Sequence, residues 1–170
     1  MSFALLGLVG LMAQTPDWAG TWKGSLENHP AREGAKAVEV VMELGEFPVV
    51  DGACAVIRNR YFEGGVEKQV KDYKLCRGKG AEDLFVDEGG GLQLKARWMG
   101  GVLVTPFKYG KTLLVSTMRL RGEVLEEEIL TVEDQAAVEG PLALRARGLQ
   151  RLTLRRAKRC SGWRRGGTRR

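Results

Sequence analysis

Two sets of residues in this chain are of types that do chemistry. Cys54 and Cys76 end the stretch CAVIRNRYFEGGVEKQVKDYKLC, which is centred on Gly64-Gly65. Paired cysteines serve as a disulfide, as metal ligands or as a reactive dithiol. Of the two registers that a turn at Gly64-Gly65 allows, one sets Cys54 directly opposite Cys76 and Arg58 opposite Asp72, a favourable cross-strand charge pair, whereas the other sets Arg58 against Lys71, which is worse. A metal needs more ligands than two, yet no further cysteine converges and the one histidine, His29, lies far off in ENHP. A reactive thiol needs a neighbouring base, and none is evident. The reading is a cross-strand disulfide, with two unpaired thiols as its alternative and Cys160 left odd.

The second set is Thr105, Ser116 and Glu127, two hydroxyls and a carboxylate drawn from consecutive segments. Together they are the convergent polar groups by which an apolar pocket orients a ligand. Other motifs fall away. YGKT (109–112) lacks the leading glycine of a phosphate loop and reads as a hairpin turn. LEEEI (125–129) has no partners at metal-ligand spacing. His29 has no nucleophile near it and reads as a loop residue, and no G-x-S-x-G element is present.

The elements that must position these residues are strands. Across residues 18–156 apolar residues alternate with polar ones, broken by glycine pairs and short polar turns. The segments are 18–27, 38–46, 54–63, 66–76, 82–88, 92–99, 102–109, 112–120, 123–133 and 142–156. About ten strands joined by tight turns, with no helices to cover their edges, predict an all-β fold. Its expected form is a single up-and-down antiparallel β-barrel, with a flattened sandwich as the alternative. The last segment shows the two faces: Leu142, Leu144, Leu152 and Leu154 fall on one side, and Arg145, Arg147, Arg151 and Arg155 on the other.

Turn positions then set the register. Pairing about Gly100-Gly101 sets Ala96 opposite Thr105 and Trp98 opposite Leu103. Pairing about Gly110-Lys111 sets Thr105 opposite Ser116 and Leu103 opposite Met118. Pairing about Arg121-Gly122 sets Ser116 opposite Glu127 and Met118 opposite Leu125. The result is an apolar wall crossed by one polar row, Thr105, Ser116 and Glu127. Trp98 and Met118 are its expected apolar lining, and Tyr109 adds a phenol nearer the rim. The alternative is a slip of one residue, which turns Glu127 outward.

The tripeptide GTW, with Trp22 on the first strand, and an arginine-bearing last strand resemble the calycin superfamily: lipocalins, fatty-acid-binding proteins and nitrobindin-like bacterial barrels. The resemblance implies a container for a small hydrophobic ligand. It also implies that Trp22 closes the barrel floor while Arg151 or Arg155 packs across it. Nitrobindins hold haem through a histidine near the C-terminus, and this chain has none after His29, so no haem or other cofactor is expected.

Charge and termini bound the setting. The net charge of +6 comes from the end of the chain: residues 157–170 carry six basic residues and no acidic one, and taking those six from 27 leaves 21 against 21 acidic. The neutral body argues against a specific nucleic-acid partner, and the basic tail, expected to be disordered, is suited to weak contact with an anionic surface. Residues 3–13 form an uncharged apolar run too short to span a bilayer but matching the core of a secretory signal, although no lysine or arginine precedes it. The expected organisation is a signal peptide at 1–13, a barrel domain at 14–156 and the tail at 157–170.

The expectation is a secreted or periplasmic barrel that binds a small hydrophobic or amphipathic molecule without transforming it. One alternative is a lumenal enzyme acting through Glu127 with Tyr109 assisting. Another is a solid-cored envelope protein meeting a partner through its basic outer face. Lumen volume separates the first two from the third.

Overall fold

A computed structural model describes residues 15–31, 33–35, 38–136 and 138–157. The segment read as a signal, and Cys160 in the basic tail, lie outside these residues. The described chain forms ten strands: β1 (Gly20–His29), β2 (Val38–Leu44), β3 (Cys54–Glu63), β4 (Val66–Arg77), β5 (Leu84–Gly89), β6 (Leu92–Met99), β7 (Val102–Tyr109), β8 (Thr112–Arg121), β9 (Val124–Glu133) and β10 (Ala146–Arg156). Every strand pairs antiparallel with its neighbours in sequence, and β1 pairs with β10, so the sheet closes into an up-and-down barrel with no free edge. The alternating pattern required this closure, because strands with one apolar face and no covering helix must bury both that face and their edges.

The β3–β4 hairpin turns at Gly64-Gly65, both at positive φ, as a type I′ turn demands at its two central positions. Cys54 lies opposite Cys76 and Arg58 opposite Asp72, and the cysteines are joined by a disulfide. Such bonds persist in oxidising surroundings, so this one fits an extracytoplasmic setting. Arg58 donates to Asp72 Oδ2 at 2.7 Å on the outer face.

One end of the barrel is packed shut. Trp18, Phe47 and Trp98 meet there with ring centroids 5.3–5.7 Å apart, each contact adding roughly 1 kcal/mol to the burial of the rings. Trp22 is wholly buried beside them, and its indole N–H donates to Trp18 O at 2.7 Å. The guanidinium of Arg156 lies 4.5 Å over the Trp22 ring and donates to the carbonyl oxygens of Ala19 and Asp17. The arginine across Trp22 is therefore Arg156, not Arg151 or Arg155. Strand parity is the reason: residue 156 shares the inner face of Leu152 and Leu154, whereas 151 and 155 point outward. Arg151 instead donates to Glu128 at 2.8 Å, and Arg147 pairs with Glu133 at 2.8 Å. The acids of β9 thus answer two of the three arginines on the outer face of β10, Arg147 and Arg151 but not Arg155.

β1 and β10 approach so closely that a Cβ on Gly24 would fall 1.9 Å from Thr153 O. Only a glycine leaves room for that approach. The first strand begins two residues later than the alternation predicts, because Trp18 belongs to the strap under the floor. The last begins at Ala146, later than the alternation predicts, and carries a bulge between Ala146 and Gly148 just inside its start.

Candidate functional site: a polar lumen behind an apolar floor

Above the floor the inner faces of β3–β10 enclose a cavity of about 180 Å³. A second chamber of about 200 Å³ lies toward the open end, between Leu26, Val38, Glu63 and Lys68. Tyr61, Lys71, Ile129 and Gln150 line both, so the two meet at that ring of residues.

Thr105, Ser116, Met118 and Glu127 all line the first chamber. β6 and β7 pair as the turn positions predict, with Trp98 opposite Leu103, and β7 and β8 set Thr105 opposite Ser116. β8 and β9 are shifted by two residues: Glu127 lies opposite Met118, and Ser116 opposite Ile129. The turn is centred on Gly122-Glu123, with only Gly122 at positive φ, which is the type II′ arrangement with glycine first. An even shift preserves the face, so Glu127 still points inward, diagonal to Ser116. The Ser116 hydroxyl donates to Glu127 Oε1 at 3.2 Å.

Two expected members of the lining stand elsewhere. Trp98 is part of the aromatic floor. Tyr109 ends β7 at the open rim and is 81% exposed, because the strand outruns the wall before the Gly110-Lys111 turn.

Besides Glu88 and Gln150, four polar lining residues were not singled out from sequence: Asn59, Tyr61, Lys71 and Tyr73. All four lie on the inner face of the disulfide-bearing hairpin. The cysteine register that turns Cys54, Arg58, Asp72 and Cys76 outward turns these inward. Asn59 is 5% exposed, and its Oδ1 has no hydrogen-bond partner among the described residues. The Lys71 ammonium sits 5.6 Å from the centre of the Tyr61 ring.

Burial pushes the Glu127 carboxyl above its usual range, while the hydrogen bond from Ser116 and the charge of Lys71 pull it part of the way back. Burial also raises the Tyr61 phenol, reinforced by Glu127 and Tyr73 and opposed by the Asn59 amide. Tyr73 is raised by burial, then by Glu88 and Glu127. Both phenols are therefore neutral groups near neutral pH, able to donate a hydrogen bond and to offer a ring face.

The fold and its interior define a class: a closed ten-stranded antiparallel barrel, shut at one end and hollow and polar at mid-height. No protein-family model matches the chain, and neither a curated protein nor a solved structure matches it.

Proposed function

We propose that the protein is an exported, calycin-like container that binds a small amphipathic molecule in its lumen and releases it unchanged. The observation that carries this reading is a carboxylate, Glu127, directed into a cavity walled by Leu103, Phe107, Leu114 and Met118. A barrel built only for stability gains nothing from a carboxylate at that position, whereas a ligand site uses such a group for orientation. The tryptophan–arginine contact at the floor, Trp22 with Arg156, supports the calycin resemblance. The Cys54–Cys76 disulfide supports export into the periplasm or medium.

The test is native mass spectrometry of protein recovered from its own periplasm or secretion medium, alongside binding of the neutral fluorophore 1-aminoanthracene. A co-purifying small molecule that competes with the fluorophore is expected. Leu114→Trp, which fills the lumen from its wall, should abolish both signals in a folded barrel. Fluorophore binding that survives this substitution, with no co-purified molecule, rejects the container reading.

A further inference from the structure

The polar groups of the inner chamber are unequal in kind. Asn59 Oδ1 is a buried acceptor with no hydrogen-bond partner among the described residues, and an unpaired buried acceptor is destabilising until a donor arrives. Glu127 has one oxygen engaged by Ser116 and a second oxygen without a hydrogen bond among the described residues. Glu88 adds another carboxylate to the lining, against Lys71 as the one cationic side chain there. Lys71 is already directed over the Tyr61 ring at the junction of the two chambers. Beyond Lys71 the lining holds no donor carrying positive charge, and what it offers is acceptors with two phenol rings beside them.

We infer that the lumen selects a small amphipathic amine, whose protonated nitrogen donates to Asn59 Oδ1 and to the Glu127 carboxylate while its apolar body lies along Leu103, Phe107 and Met118. This rests on the container reading above. A carboxylate ligand would face Glu127, Glu88 and an oxygen with no proton to give. A hydrocarbon would leave Asn59 unserved. An ammonium satisfies both acceptors and lies near the faces of Tyr61 and Tyr73, where a desolvated cation is attracted to the ring. It also supplies the positive charge that lets Glu127 ionise in a buried setting, reversing the upward push of burial on its proton affinity.

The experiment is isothermal titration at neutral pH with three probes of one chain length: hexylammonium, hexanol and hexanoate. A hydrogen bond to a charged partner is worth enough for about tenfold in affinity or more. Hexylammonium should therefore bind at least tenfold more tightly than hexanol, with hexanoate weakest. Glu127→Gln, which keeps the side-chain shape, should lose about tenfold for hexylammonium and change hexanol little. Asn59→Leu should narrow the gap between the same two probes. Hexanol or hexanoate binding as tightly as the amine, or an unchanged amine affinity in Glu127→Gln, overturns the amine assignment and leaves the container reading standing. Binding by none of the three, with Leu114→Trp indistinguishable from wild type, overturns both.

Discussion

Arg156 ties the strap 15–19 to the barrel, and its removal gives the sharpest test of how the closed end is held. The side chain donates to Ala19 O at 2.6 Å, also reaches Asp17 O, and lies 4.5 Å over the Trp22 ring. Each carbonyl bond is worth about 1 kcal/mol net, and a partly exposed cation–ring contact adds about 0.5–1 kcal/mol. Arg156→Ala should therefore cost about 2–3 kcal/mol. Arg156→Lys keeps the charge over the ring but loses the planar fork that reaches two carbonyls at once, and should cost about 1 kcal/mol. Arg155→Ala and Arg151→Ala remove outward side chains and should stay within about 0.5 kcal/mol of wild type. Urea unfolding followed by tryptophan fluorescence reads all four, because Trp18, Trp22 and Trp98 share this end of the barrel. If Arg155→Ala costs as much as Arg156→Ala, or Arg156→Ala costs under about 0.5 kcal/mol, the clamp described here does not hold the floor.

The disulfide closes a loop whose ends are 22 residues apart in sequence, so reduction should remove about 3 kcal/mol and lower the midpoint of thermal unfolding by roughly 10 °C; calorimetry with and without dithiothreitol measures it, and an unchanged midpoint contradicts it. Gly24→Ala sets a Cβ 1.9 Å from the Thr153 carbonyl oxygen, which backbone cannot yield without parting β1 from β10. A cost of about 3 kcal/mol and faster amide exchange along that seam are expected, against no change if the strands tolerate the methyl. Glu127 holds its proton more tightly folded than unfolded, so the folded state binds more protons above the ordinary value of 4.5. Its contribution to stability is therefore fullest at lower pH and falls as pH rises through that value toward the raised one. The loss is about 1.4 kcal/mol for each tenfold separation of the two proton affinities. Glu127→Gln removes this dependence and should gain on wild type between pH 4 and 8 in urea titrations, roughly those limits sufficing to bracket the window; parallel pH profiles refute it. Asn59→Leu deletes an unserved acceptor and should stabilise by about 1 kcal/mol, read in the same titrations, with a loss of stability as the contrary result.

Much of the barrel was legible because a period of two admits few arrangements. On the β3–β4 hairpin the Arg58–Asp72 charge pair favours the register that sets Cys54 opposite Cys76, and the polarity of their neighbours follows from it. The Gly64-Gly65 turn alone pairs Glu63 with Val66, one residue out of that register, and a bulge between Tyr61 and Phe62 takes up the difference. The β8–β9 register differs from the sequence expectation by two residues because the turn centres on Gly122-Glu123, not on Arg121-Gly122 with glycine second. Reading it as Gly110-Lys111 is read, with glycine first, gives the observed Gly122-Glu123 turn. The face of Glu127 survived since two residues is one full pleat. The inward turn of Arg156 is harder to read from sequence. Basic residues on β10 invite assignment to the exposed face as a set, yet parity places 156 with Leu152 and Leu154, and only the nearby carbonyls of the strap explain an inward arginine. Asn59, Tyr61 and Tyr73 were equally within reach of the cysteine register. Their convergence on Glu127 is a property of closure, which brings β3 and β4 across the lumen from β8 and β9, and no local pattern encodes that distance.

A polar belt crosses the interior at mid-height, between the floor and Phe107, Leu114 and Ile129 beyond it, and its position argues for use rather than accident. On β9, Leu125 is wholly buried at the floor, and the next inward residue is Glu127. On β3 the inward series runs Ala55, Ile57, Asn59, Tyr61. On β4 it runs from Leu75 through Tyr73 to Lys71. Each strand changes from aliphatic to hydrogen-bonding within one pleat, at about the height where the cavity begins. Leucine or valine at Glu127 and Asn59 would suit the alternation equally well and would spare the fold a desolvated carboxylate and an unserved acceptor, each of which opposes folding. Such local departures from the most stable choice gather where a protein meets something other than itself. Here they gather on facing walls of one chamber, the arrangement that the proposed amine ligand would compensate.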